Sequence, residues 1–129
     1  MDSIPDKIES NVIEFNAKMP SKVFRFPQKY PDLIKYEAEF SIIIDGELFF
    51  NEPNFPLFEF LYFANKWKGT DATSFHYSSI DTEDNPLISF EYANDMFTIS
   101  SPWQLFECRS RFTKNQLTDA LNDIVRGIK

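Results

Sequence analysis

The chain has 129 residues, of which 43% are hydrophobic and 17% aromatic, with fifteen phenylalanines. That is the size of one domain, its core can be built from large rings, and general disorder is excluded. Twenty acidic side chains against thirteen basic ones give a net charge of −7, which disfavours nucleic acid and anionic membranes as partners and points to a basic protein.

One cysteine, Cys108, allows no internal disulfide and no cysteine metal cluster, and it fits a reducing compartment. The stretch Met1 to Asp6 lacks the basic and apolar regions of a secretory signal. No run approaches the roughly 18 to 20 apolar residues that a membrane helix needs. A cytoplasmic location is therefore expected.

Along the chain, Val12-Ile13-Glu14-Phe15 predicts a short strand at about 11 to 16, although Ile8, Val12, Phe15 and Met19 also fit a helical stripe. Pro20, Pro27 and Pro31 then forbid long regular structure. Residues 1 to 32 read as a proline-rich segment wrapped on the domain by Val23, Phe24, Phe26 and Tyr30. From Leu33, Tyr36, Ala38, Phe40, Ile42 and Ile44 alternate with polar residues, the period of a half-buried strand. Asp45-Gly46 predicts a type I′ hairpin turn, and Glu47 to Phe50 return from it before Asn51 to Asn54 end the strand.

Phe55 to Lys68 follows, an apolar helix opened by Asn54 or Phe55 with Pro56 in its first turn. Leu57, Phe60, Leu61, Ala64 and Trp67 form one face, and Phe58, Tyr62 and Phe63 widen it beyond a surface stripe. Gly69 is placed for a left-handed C′ residue. Strands are predicted at Thr73 to Ser79, Leu87 to Tyr92, Met96 to Ser100 and Trp103 to Arg111, with a tight turn at Ala93 to Asp95. Leu117, Ala120, Leu121, Ile124, Val125 and Ile128 mark a closing amphipathic helix, with Thr113 and Gln116 spaced as a capping box. The expected fold is one α+β domain over 1–129: an antiparallel sheet of about six strands with both helices on one face, in the order (β)ββαββββα.

Catalytic candidates are few. His76, on the strand face opposite Phe75 and Tyr77, reads first as a solvent-facing residue and second as a general base. Cys108 reads as an inert core thiol, with a nucleophilic pairing to His76 as the minor alternative. Glu107, Arg109 and Arg111 share one face of the last predicted strand, where cross-strand pairing with Glu91 is expected. The carboxylates carry more. Glu37, Glu39, Asp45, Glu47 and Glu52 run through the hairpin, and Asp81, Glu83 and Asp84 cluster in one loop. As a set they read either as edge-protecting surface charge or as a patch that captures a basic protein. No calcium-loop or phosphate-loop spacing occurs, and no cofactor or metal is expected.

The run Tyr36 to Phe50, with Glu52 and the helix Leu57 to Trp67, resembles small uncharacterised bacterial single-domain proteins of the toxin-immunity type. The resemblance covers most of 33 to 128 and implies a cytoplasmic immunity protein that neutralises a basic toxin domain. A non-enzymatic protein-binding module, monomeric or weakly dimeric, is thus the leading expectation. The alternative is a small-molecule-binding or enzymatic domain with a pocket between the sheet and the aromatic helix.

Overall fold

A computed structural model describes residues 11–18, 37–71, 73–78 and 86–128, apart from the side chains of Val125, Gly127 and Ile128. Its elements are β1 (Ile13–Lys18), β2 (Ala38–Ile44), β3 (Glu47–Phe55), α1 (Leu57–Lys68), β4 (Phe75–Tyr77), β5 (Ile88–Ala93), β6 (Met96–Ser100) and α2 (Lys114–Ile128). Most of the wrapping segment predicted over 1 to 32 lies outside the described residues, as do the strand start at Leu33 to Tyr36 and the loop of Asp81, Glu83 and Asp84.

The class is α+β, but the single six-stranded sheet resolves into two antiparallel sheets of three strands, β1-β2-β3 and β4-β5-β6. The helix α1 carries the chain from one sheet to the other. Rings join the two sheets. Phe15 stacks on Phe90 with centroids 6.2 Å apart, and Phe55 meets Tyr77 edge-on at 5.9 Å. Residues from both sheets and both helices form one continuous core.

The β2–β3 hairpin turns as its Asp-Gly pair demands, with φ of 51° at Asp45 and 85° at Gly46. Strand β3 runs on through Asn51 to Asn54 to Phe55, beyond its predicted end. Two register shifts permit this. Phe49 has no Cα partner between the pairs Ile42↔Phe50 and Ile43↔Leu48, and a second shift separates Ala38↔Phe55 from Phe40↔Glu52. The first, a bulge, lets consecutive residues Phe49 and Phe50 both be fully buried. The second accommodates Pro53, which cannot donate to a regular ladder and sits on an edge strand.

Helix α1 is buried on nearly every side of its first two turns, where Leu57, Phe58, Glu59, Phe60 and Leu61 are all inside. Its N-cap is Pro56, one residue later than predicted, and Gly69 keeps a right-handed φ of −84°. The Gly69 N–H reaches the Lys66 carbonyl without any left-handed residue. In α2, the capping box forms: Gln116 Oε1 accepts from the Thr113 N–H at 2.8 Å, and Thr113 Oγ1 accepts from the Gln116 N–H at 3.1 Å. Leu117, Ala120, Leu121 and Ile124 face the core.

The strand predicted from Trp103 to Arg111 is not one. The chain there is an extended strap whose one β-bridge joins Phe112 to Phe97, with N–H to carbonyl bonds of 2.8 and 2.9 Å. Its alternation is real, since Phe106, Cys108 and Ser110 are half-buried between exposed neighbours. The strap serves two sheets rather than one ladder. Leu105 N–H donates to Phe49 O on β3 at 2.8 Å, and Ser110 Oγ to Asp45 at 2.7 Å, before Phe112 joins β6.

Candidate functional site

Among the described residues, the predicted acids Glu37, Glu39, Asp45, Glu47 and Glu52 do not share one face. Register fixes where each one points, because directly paired residues share a face. Glu37 and Glu39 follow the parity of Ser41 and Ile43, the solvent side of the first sheet, where Glu39 lies opposite Lys18 and Glu14 opposite Ile43. Glu47 and Glu52 pair with the core residues Ile44 and Phe40 and belong to the other side, at the hairpin end and the sheet edge. Glu52 turns onto its own strand, accepting from the Asn54 N–H at 3.3 Å.

Asp45 has structural work. Its Oδ1 accepts from the Val12 N–H at 2.8 Å and its Oδ2 from Ser110 Oγ at 2.7 Å, while its own N–H donates to the Val12 carbonyl at 2.8 Å. One carboxylate thus ties the hairpin to the start of β1 and to the strap.

His76 faces solvent as expected, with Nδ1 3.1 Å from Ser89 Oγ and 3.6 Å from Glu91 Oε2. The partner predicted for Glu91 on the last strand is therefore wrong. With no strand at 103–111, Glu91 lies across from Thr98 and beside His76, and Glu107 instead approaches Arg109 at 3.9 Å. Cys108 is half-buried, its thiol donating to the Ser110 carbonyl at 3.4 Å, and burial pushes its pKa up. A raised thiol pKa is the opposite of what a nucleophile requires. Among the described residues, no cluster of three or more His, Cys, Asp and Glu side chains could hold a metal ion.

Where the end of α1 meets the β5–β6 turn and the start of α2, an open cleft of about 360 Å³ is lined by Thr70, Asp71, Tyr92, Asp95, Phe97 and Lys114. Its donors are engaged within the fold. Lys114 Nζ donates to the Thr70 carbonyl at 2.5 Å and the Asp71 carbonyl at 3.2 Å while lying 4.4 Å above the Trp67 ring. Tyr92 donates to Asp95 Oδ1 at 2.9 Å, a bond that raises the phenol's pKa, and Thr70 Oγ1 donates to the Trp67 carbonyl at 2.6 Å. The cleft reads as the seam where Lys114 ties the start of α2 to the turn that follows α1.

The exposed large apolar side chains of the described residues lie elsewhere. Val12, beside the Asp45 turn, is 49% exposed, and Leu48, Trp103 and Leu105, near the Phe49–Phe50 bulge, are 45%, 46% and 62% exposed. Phe58 is buried, and Tyr62 is half-buried under Lys66, whose Nζ lies 4.4 Å from the ring centre.

The sequence model of a Domain of unknown function (DUF7878) matches residues 12–129. The chain belongs to this family. The match begins one residue before β1 and takes in the proline-rich stretch as well as the hairpin and helices. No curated protein and no solved structure matches the chain. The toxin-immunity character expected from the resemblance stands outside what family membership supplies. Among the described residues, no helix is long and apolar enough to cross a membrane.

Sequence reasoning missed Glu59, which is fully buried and accepts a 2.6 Å hydrogen bond from the Tyr77 hydroxyl. A signal existed. In Leu57-Phe58-Glu59-Phe60-Leu61, a helix apolar on every side leaves its one acid no solvent side to occupy. Of Phe49, Tyr62 and Trp103, three rings that the sequence suggests cannot all fit inside, Trp103 is exposed, Tyr62 half-buried and Phe49 fully buried, while the exposure of Leu48 and Leu105 had no such signal.

Proposed function

We propose that the chain is a non-enzymatic protein-binding module that takes a basic protein on the solvent side of its first sheet. The observation that carries this reading is the charge of that side: Glu14, Glu37 and Glu39 stand exposed there, against Lys18 as the cation facing them. The net charge of −7 extends the field in the same sense. Such a surface steers a cationic partner to it and repels acidic competitors. In its narrowest form the partner is a basic toxin domain and the chain its cytoplasmic immunity protein.

The test is a pull-down on immobilised chain at low salt followed by a salt gradient. A basic protein retained by wild type, released within the screening range, and not retained by Glu37→Lys/Glu39→Lys supports the reading. Retention that ignores both salt and charge reversal, or retention of nothing basic, refutes it. For the narrow form, the product of an adjacent toxin gene is mixed with purified chain, and toxin activity that persists at equimolar chain excludes it.

A further inference from the structure

The solvent side of the first sheet changes chemistry along its length, and its three strands change at the same end. On β2 the outward residues run Glu37, Glu39, Ser41 and then Ile43, and on β1 they run Lys18, Asn16, Glu14 and then Val12. On β3 the outward partner of Ser41 is Asn51 and that of Ile43 is Leu48. Register makes the three apolar residues neighbours. Ile43 is the direct partner of Leu48 on one side and of Glu14 on the other, while Val12, whose carbonyl continues the ladder by accepting the Asp45 N–H at 2.8 Å, lies diagonally across from Ile43. Direct partners on one face have Cβ atoms about 4.5 to 5.5 Å apart, and diagonal ones lie within about 8 Å. Val12 and Leu48 are 49% and 45% exposed, and Ile43 is half-buried. All three point away from the core, which Ile42 and Ile44 fill from the opposite side of β2.

Exposed apolar side chains that adjoin one another inside a polar rim mark contact surfaces. The rim here stands on the same side of the sheet. Glu14 shares the row of Ile43 and Leu48, Asn16, Ser41 and Asn51 form the next row, and Glu39 lies opposite Lys18 in the row after. Asn51 Nδ2 donates to Ser41 Oγ at 2.6 Å and to Glu39 Oε2 at 3.5 Å, which ties that carboxylate to the middle row. Among the described residues, Glu14, Glu37 and Glu39 thus outnumber Lys18 on this side. A second copy of the chain would set the same excess of carboxylates against itself. A cationic segment would neutralise it.

We propose that the Val12–Ile43–Leu48 cluster is the apolar seat of this face, and that it takes an aliphatic side chain from a segment of a basic protein whose neighbouring lysines or arginines meet Glu14 and Glu39. This rests on the basic-partner reading above and adds the chemistry of the partner's contact segment, which is amphipathic rather than uniformly basic.

The probes are two dye-labelled peptides, one alternating lysine with leucine and the other an oligolysine with the same number of lysines, titrated by anisotropy with the whole chain at low salt. The lysine–leucine peptide should bind at least about tenfold tighter than oligolysine, the factor that removing roughly 55 Å² of apolar surface from water supplies. Val12→Thr/Leu48→Thr, which changes two exposed side chains and keeps the strand preference, should abolish that advantage and leave oligolysine binding in place. Glu14→Lys/Glu39→Lys should weaken both peptides more than Glu47→Lys/Glu52→Lys, which makes the same change in net charge off this side of the sheet. Equal affinity for the two peptides, or an advantage that survives Val12→Thr/Leu48→Thr, overturns the seat while leaving charge capture standing. Equal weakening by the two charge reversals overturns the placement on this face, and no binding of either peptide overturns the basic-partner reading as well. Dimers seen by light scattering in wild type and lost in Val12→Thr/Leu48→Thr would show a second copy on the cluster and also overturn the proposal.

Discussion

Replacing Asp45 tests whether this residue holds the fold or meets a partner. Asp45→Ala removes the acceptors of the Val12 N–H and Ser110 hydroxyl bonds and leaves an alanine at φ 51°. At an exposed site each bond contributes about 0.5 to 1.5 kcal/mol net, and left-handed geometry costs a residue with a Cβ about 1 kcal/mol or more. Together these predict a loss of about 3 kcal/mol, or roughly 10 °C in Tm for a domain of this size. Asp45→Gly strips both bonds but relieves the backbone and should cost about 2 kcal/mol. Asp45→Asn keeps one oxygen and tolerates the turn geometry, so its cost should be about 1 kcal/mol. Urea unfolding of the three variants measures the series through the transition midpoint at constant slope. Three variants within about 0.5 kcal/mol of wild type would place Asp45 among ordinary surface residues and refute the bracket.

Tyr77→Phe should destabilise by about 1 to 3 kcal/mol, since it removes the hydroxyl that donates to the buried Glu59 carboxyl; a phenylalanine tolerated at no cost in urea unfolding would contradict this. Lys114→Met keeps the stem over Trp67 but loses the bonds to the Thr70 and Asp71 carbonyls, with an expected cost of about 1 kcal/mol and a changed Trp67 emission; unaltered melting and emission would argue against that tie. Cys108 in the native protein should alkylate more slowly than a free thiol at the same pH, because burial raises its pKa. The folded state holds that proton longer than the unfolded chain does. The stabilisation is full below the free-thiol pKa and is lost as pH rises through the raised native value, so Cys108→Ser should flatten stability in that alkaline window.

Features written into neighbouring residues were legible in the sequence. Asp45-Gly46 turns with both φ values positive, and Asn94 and Asp95, at 54° and 67°, do the same in the second hairpin. Thr113 and Gln116 bond reciprocally, and α1 is buried as a helix of such apolarity must be. What failed depended on residues far apart. The alternation of Phe106, Cys108 and Ser110 is that of a strand, yet it arises from a strap that spends its hydrogen bonds on two separate sheets. Nothing local distinguishes the two cases, because burial on alternate sides requires only an extended backbone. Likewise Gly69 has the position of a left-handed cap, but the Lys66 and Trp67 carbonyls receive the Gly69 and Thr70 N–H groups in right-handed geometry, leaving no need for one.

The same distinction governs the candidate site. Glu37, Glu39, Asp45, Glu47 and Glu52 look like one acidic run because they are close in sequence, but a strand sends successive side chains to opposite faces and each register shift reassigns them. Two remain on the solvent face, one is consumed by the turn, and two pair across from core residues. The shift that scatters the acids also seats Phe49 and Phe50 together inside and leaves the Phe49 carbonyl to accept the Leu105 N–H. Deleting Phe49 would keep Leu48 opposite Ile43 and Phe50 opposite Ile42 but would remove a fully buried ring and the strap's acceptor, so urea unfolding should show a loss of about 3 to 5 kcal/mol. An unchanged midpoint would contradict a structural role for the bulge.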